Sequence, residues 1–280
     1  MFNAAIKYTI LSLLTLSLAT SCSGNGDEAK ARNLLECARE AVKAGDYERA
    51  LTLTDSLKRT YPKEIDTRRE AMHVTATANE RLSLRMLETA DSTLAVLGVR
   101  GDSLSRLVKF VSNPIEGYYA GASAKTADFA ATTGIQARVS PGGDFYIVSS
   151  LPSSKGVKST SVKVSCEGES ASTASVPFDG ERNDRSLGTE MITFMGVECE
   201  DLGSFISDFR HKPLTLSFVG ERTLSVPLSP SAAEEIATLY EYANTIRQAK
   251  VAAIEKERLT RAVDIARSQA ARTFVEKDSL

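Results

Sequence analysis

The chain has 280 residues, 42% of them hydrophobic, with 34 Lys and Arg against 36 Asp and Glu, four cysteines and no tryptophan. A net charge of −2 and the lack of a long basic run exclude an electrostatic case for nucleic acid as a partner. The length suits one large domain or two smaller ones, each with its own core.

The first element is "MFNAAIKYTILSLLTLSLATSC", in which Lys7 is the only charge and residues 10–18 are Leu, Ile, Thr and Ser. A positive start followed by a short apolar run is the pattern of a secretory signal. The run is shorter than the ~20 apolar residues that a membrane span needs. Ala19, Thr20 and Ser21 then lead into Cys22. This stretch resembles the lipobox of bacterial lipoproteins. The resemblance implies that residues 1–21 are a signal peptide and that Cys22 becomes the mature N-terminus, with lipid on its sulfur and amine. Ala19 departs from the Leu or Val usual in the family, and an ordinary signal peptide with an incidental cysteine is the competing reading. Each buried acyl methylene contributes ~0.8 kcal/mol, so several chains on one residue anchor firmly.

Ser23, rather than Asp, after the cysteine resembles outer-membrane sorting. Asp27 and Glu28 resemble acidic signals for display on the outer face, or simply belong to an acidic tether over residues 22–28. Cleavage would remove Lys7 and no acid, leaving 33 of the 34 bases against 36 acids, a net charge of −3.

Residues 29–113 read as helical. "ARNLLECAREAVKAGDYERALTLTDSLKRTYP" contains two helix-length stretches joined at Gly45-Asp46. Ala38 and Ala50 are small enough for close helix approach, Gly45 permits the turn, and Pro62 ends the second helix. Leu34, Ala38, Gly45, Tyr47, Ala50 and Pro62 match positions of the tetratricopeptide repeat, which this stretch resembles over about 34 residues, one repeat length. The next 34 residues do not repeat the pattern, so an array is not implied. Ala71, Val74, Ala78, Leu82, Met86, Ala90, Leu94 and Leu97 recur at helical spacing and predict one long helix, or two with a bend, over 63–97. A shorter helix carrying Leu104, Leu107, Val108 and Val111 is expected next, with Asp102 as N-cap and Asn113-Pro114 as its stop.

Residues 114–228 are rich in Gly, Ser, Thr and Val. "TGIQARVSPGGDFYIVSSL" is two alternating runs around Pro141-Gly142-Gly143, a hairpin signal. "STSVKVSCE", "TASVPFD", "TEMITFM", "LTLSFVG" and "TLSVPLS" are further strand candidates, the last two joined by a turn at Gly220-Glu221-Arg222. "CEDLGSFISDF" reads as a short helix across the sheet. Close spacing with few crossover helices predicts an antiparallel sheet or small barrel.

Residues 229–280 read as one long helix, with Ser229 as N-cap and Pro230 in the first turn. Ile236, Tyr240, Ala243 and Ile246 are regular and are expected to pack antiparallel on the helix of residues 63–97. The middle, "AIEKERLTR", is expected to be solvated, and the half beyond Glu255 to project or bind a partner. The fold class expected is therefore α+β: a helical hairpin and long helix, an inserted antiparallel β domain, and a long C-terminal helix packing back on the helical arm.

Gly101-Asp102-Ser103-Leu104 resembles the nucleophile block of the GDSL, or SGNH, esterases. Carried over, Ser103 would be the nucleophile, His211 of Asp208-Phe209-Arg210-His211 the base, Asp208 its orienter, and Asn183 of "GERND" an oxyanion donor. Three features weigh against it. "GERND" has one residue too many for the family's block, the run before Gly101 is helical where the family has a strand, and the β region reads antiparallel rather than parallel. The isolated His73 and His211 suit structural roles or plain exposure better than a metal site. Cys37 is expected as a buried thiol. Cys166 and Cys199 are preferred as two small buried residues, a disulfide being the alternative in an oxidising compartment. Tyr118-Tyr119 is an aromatic pair outside any strand candidate, the one feature that would serve a glycan-binding surface. The leading expectation is an outer-membrane lipoprotein, facing the periplasm or the surface. It would be held through Cys22, act as a non-catalytic scaffold or adaptor for protein partners, and need neither cofactor nor metal.

Overall fold

A computed structural model describes residues 24–114, 116–152, 156–185 and 188–273. The lipobox and Cys22 lie outside the described residues. Among the described residues, five α-helices and two antiparallel sheets make this an α+β protein. The chain divides into two compact units, one of residues up to Met86 together with those from Leu259 onward, the other of Leu87–Arg258. The divisions fall inside two long helices, whereas the composition changes fall at Pro114, between the first two strands, and at Ser229, between the last strand and the final helix.

The helical unit begins with α1 (Gly24–Lys43) and α2 (Tyr47–Thr60). Residues 24–28, expected as tether, are instead the start of α1. A Glu28–Arg32 ion pair of 3.0 Å one turn apart supports them as helix. Gly45, at φ +78°, reverses the chain, and the Asp46 carboxylate accepts from the Arg49 backbone N–H at 3.1 Å. Ala31, Leu35, Ala38 and Ala41 form the buried stripe of α1. Ala41 meets Ala50, while Leu35 and Ala38 meet Leu57, so the two helices run antiparallel. Cys37 is exposed, correcting the buried thiol expected there. It stands two residues from Leu35 and one from Ala38, outside their stripe, and bonds Asn33 Oδ1 at 3.4 Å.

Helix α3 (Ile65–Ser105) lays Ala71, Val74 and Ala78 on that hairpin. The end of α5 (Pro230–Thr273) joins them. His73 Nδ1 lies 3.0 Å from the Ala270 carbonyl, and Arg267 pairs with Glu80 at 3.1 Å, so α5 runs antiparallel to α3 here. Leu259, Val263 and Ala266 are 2, 5 and 3% exposed. The half of α5 beyond Glu255 is thus packed rather than projecting. Three apolar residues at helical spacing suffice for that, and the charges around them occupy the outer faces.

In the β unit a six-stranded sheet has the order β1 (Val108–Val111), β2 (Tyr118–Gly121), β3 (Gly134–Val139), β4 (Phe145–Pro152), β8 (Thr189–Met195), β7 (Asn183–Asp184). A four-stranded sheet has the order β10 (Thr223–Leu228), β9 (Leu214–Val219), β5 (Ser161–Cys166), β6 (Glu169–Ser172). Ile147 pairs with Phe194 across β4 and β8, and Val164 with Leu216 across β5 and β9. Period-two alternation sends these side chains into one core. Helix α4 (Glu200–Phe209) adds Leu202 and Ile206.

The first half of α5 also enters this core, through Ile236, Leu239 and Ala243. It was expected against the helix of residues 63–97, but the two sheets offer a larger apolar surface. Ser229 caps it by accepting from the Ala232 N–H at 3.2 Å. Within the β unit α3 and α5 still meet, at Asp91–Lys256 (2.6 Å) and Arg100–Glu241 (3.3 Å).

Two expected elements differ. Residues 108–111 are strand, not helix, and Asp102 lies inside α3 rather than capping a new helix. Val108 and Phe110 are β-formers, and β2 supplies cross-strand partners that no helix offers, including Tyr119, edge-on to Phe110 at 5.3 Å. "TASVPFD" lies off the ladder, although the Thr173 and Val176 N–H groups still reach the carbonyls of Val162 and Thr160 at 2.9 and 2.8 Å. Pro177 has no N–H to continue that pairing.

A Cβ on Gly203 would stand 2.7 Å from the Phe145 ring and 2.8 Å from that of Tyr240, so α4 needs glycine at this approach. Gly98, inside α3, has nothing within 4 Å. Gly203→Ala should destabilise by about 1–3 kcal/mol, and Gly98→Ala should stabilise by about 0.5–1 kcal/mol. Urea unfolding of both variants checks the opposite signs. Leu259→Ala should cost about 2–5 kcal/mol, whereas Ile254→Ala, at a position 69% exposed, should stay within about 0.5 kcal/mol. Equal costs in thermal unfolding would mean that the end of α5 is not packed.

Candidate functional site

The residues singled out for catalysis lie on α3, on α4 and the turn after it, and on β7. Ser103 is exposed on α3 and its Oγ donates to the Val99 carbonyl at 3.0 Å, one turn back in its own helix. Asp208 is exposed in the last turn of α4, and His211 is exposed in the turn after it. Asn183 is buried in β7, where its Nδ2 donates to the Ser159 carbonyl at 3.4 Å. Beside it the buried Glu190 carboxylate accepts from the backbone N–H groups of Lys158 and Ser159 at 3.1 and 2.8 Å, which ties the segment before β5 to β8. Among the described residues no group of three His, Cys, Asp or Glu is placed to hold a metal ion. No described helix is long and apolar enough to cross a membrane.

Tyr118 and Tyr119 lie in β2, which corrects their placement outside the strands. Tyr118 is 8% exposed, with the Arg138 guanidinium 4.3 Å from its ring centroid, and Tyr119 packs edge-on to Tyr242 at 5.3 Å. Strand pairing turns the two rings to opposite sides, so they do not form one flat stacking surface.

Cys166 and Cys199 are free, buried thiols, as preferred. Cys199 donates to the Phe194 carbonyl at 3.2 Å, and burial pushes its thiol up to about 12. A thiol held protonated in this way is a poor nucleophile.

The helical unit has a half-open cleft of about 610 Å³ between α2, the first turns of α3 and the last turns of α5. Leu57, Ala71 and Ala76 form a buried apolar floor. Thr54 and Thr75 line it too, but their hydroxyls are bonded to the carbonyls of Leu51 and Ala71 at 3.1 and 2.8 Å. Among the described residues its charged lining is Lys58, Arg68 and Arg272, with no carboxylate. The Arg68 Nη1 donates to the Pro62 carbonyl at 2.8 Å, which fixes the guanidinium beside the α2–α3 turn, and its Nε is buried without a partner among the described residues. The bond between His73 and the Ala270 carbonyl holds the α5 wall in place.

Sequence reading missed this cleft because its walls are separated by nearly two hundred positions along the chain. Residues 54–76 read as ordinary amphipathic helix, and nothing in residues 269–273 points back to them. The chain matches no known family model, no curated protein and no solved structure.

In the folded full chain carrying Cys22→Ala, Cys37 should react with a thiol reagent at mildly alkaline pH. Cys166 and Cys199 should react only after denaturation. Mass mapping of the modified cysteines checks this, and rapid native labelling of Cys199 would contradict its burial.

Proposed function

We propose that this chain is a lipid-anchored envelope lipoprotein whose folded part is a non-catalytic adaptor for protein partners. The anchor rests on the short apolar run, the small residues at 19–21 and Cys22. Ser23 favours the outer membrane as its address. The adaptor reading is carried by one observation, the open, apolar-floored cleft of the helical unit. Three helices frame it, and its charged lining among the described residues is Lys58, Arg68 and Arg272. An apolar groove between helices recognises a partner segment by shape and a few anchors, and needs no reactive group. The engagement of the Ser103 hydroxyl within its own helix agrees with a chain that does not use it as a nucleophile.

Metabolic labelling with an alkynyl fatty acid tests the anchor. The wild-type protein should take up label and sediment with membranes, and Cys22→Ala should lose both properties. A wild-type chain without label would remove the lipoprotein reading. Assay on short acyl esters tests the second half. No hydrolysis is expected, and turnover that disappears in Ser103→Ala would replace the adaptor with an esterase.

A further inference from the structure

We propose that the cleft between α2, α3 and α5 seats a short segment of a partner protein in which an apolar side chain is flanked by carboxylates. The inference rests on the adaptor reading and gives the partner its chemistry.

Charge is the first argument. Lys58 comes from α2, Arg68 from α3 and Arg272 from α5, so each wall contributes one cation and, among the described residues, none contributes an acid. Three other basic residues of the same unit are paired with carboxylates, Arg39 with Glu36 and Glu70, Arg85 with Glu48, and Arg267 with Glu80. Among the described residues Lys58, Arg68 and Arg272 have no such partner. Three unneutralised cations around an apolar floor favour an anionic occupant and disfavour a basic one.

The floor is the second argument. Leu57, Ala71 and Ala76 present hydrocarbon at the bottom, and Met72, on the lining, is 58% exposed. An unbranched thioether left in water beside a groove adapts readily to an incoming side chain. The volume of about 610 Å³ lies within the usual range of ligand clefts and admits a few side chains rather than a folded surface. A segment with one or two apolar anchors and acids on either side fills the floor and meets the cations.

The test uses the full mature chain carrying Cys22→Ala, immobilised against a random dodecapeptide pool displayed on phage. Recovered peptides should be enriched in Asp and Glu around Leu, Ile or Phe. A recovered peptide, made synthetically and fluorescently labelled, should bind about tenfold more weakly to the Lys58→Glu/Arg272→Glu double variant, and more weakly at raised salt. Both positions are exposed, so the double variant should keep the parent melting temperature and circular dichroism. Recovery without acidic bias, or an affinity unchanged by the double substitution, overturns the proposal. So does acidic-peptide binding seen only after residues 274–280 are deleted, which would make the chain's own tail the occupant. Binding to phosphatidylglycerol vesicles through Lys58 and Arg272 without any acidic-peptide preference also overturns it. Failure of the cleft proposal is distinguishable from failure of the adaptor reading, which falls if the lipoprotein crosslinks to no protein partner. A partner crosslinked equally to the wild-type lipoprotein and the double variant removes the cleft as the dock and leaves the adaptor standing.

Discussion

A single helix has to bury two different faces in two different cores. The first turns of α5 carry Ile236, Leu239 and Ala243 among Phe145, Phe194 and Phe218 of the β unit. Its last turns carry Leu259, Val263 and Ala266 in the helical unit. Between them Val251 and Ile254 are 68 and 69% exposed, so the apolar stripe is not continuous. Most of a helix's stability in a protein comes from packing of its apolar face, and α5 has such contact at both ends. Helix α3 has the same double duty, with Ala71, Val74 and Ala78 against the hairpin and Leu104 in the β core.

Inside the β unit the closest approaches are set by ring edges. Phe145 meets Tyr240 edge-on at 5.3 Å with Gly203 between α4 and both rings, and Tyr119 meets Tyr242 in the same manner. Such contacts favour a perpendicular geometry and so orient α5 on the sheet as well as holding it there. The buried Glu190 adds a polar tie, since its oxygens take two backbone N–H groups that would otherwise lack acceptors. Near the end of β8 the Glu198 carboxyl is held down at about 2, chiefly by its hydrogen bonds from Arg182, with the Met195 backbone N–H adding to them.

The cleft follows from the same division of labour. The α1–α2 hairpin uses α1 and one side of α2 to cover α3, which leaves Thr54, Leu57 and Lys58 at the border of its packed face. The end of α5 reaches that border and is fixed by the contacts of His73 and Glu80, so a groove remains where three helices meet without a fourth. Together with a lipid on Cys22, such a groove would serve a protein that recruits partners at a membrane.

The alternation of apolar residues, the Gly45-Asp46 turn, the hairpin at Pro141-Gly142-Gly143 and the Ser229-Pro230 start were enough to determine, from sequence alone, an α+β chain with a helical hairpin, an antiparallel β region and a long final helix. These are local signals, written within one or two turns of the residues they govern. Which partner each apolar face meets was left to tertiary structure. The spacing of Leu104, Leu107, Val108 and Val111 read as helix, and the presence of β2 alongside made residues 108–111 a strand. Cys37 looked apolar in the chain but fell outside the stripe that α2 covers. The charges beyond Glu255 suggested a free arm, yet Leu259, Val263 and Ala266 were sufficient once α3 lay beside them. The cleft brings Lys58 and Arg68 together with Arg272 only after the chain has passed through the whole β unit and returned. Hydrophobic periodicity records how much of a face is buried and carries no label for its partner, and long-range packing supplies that label.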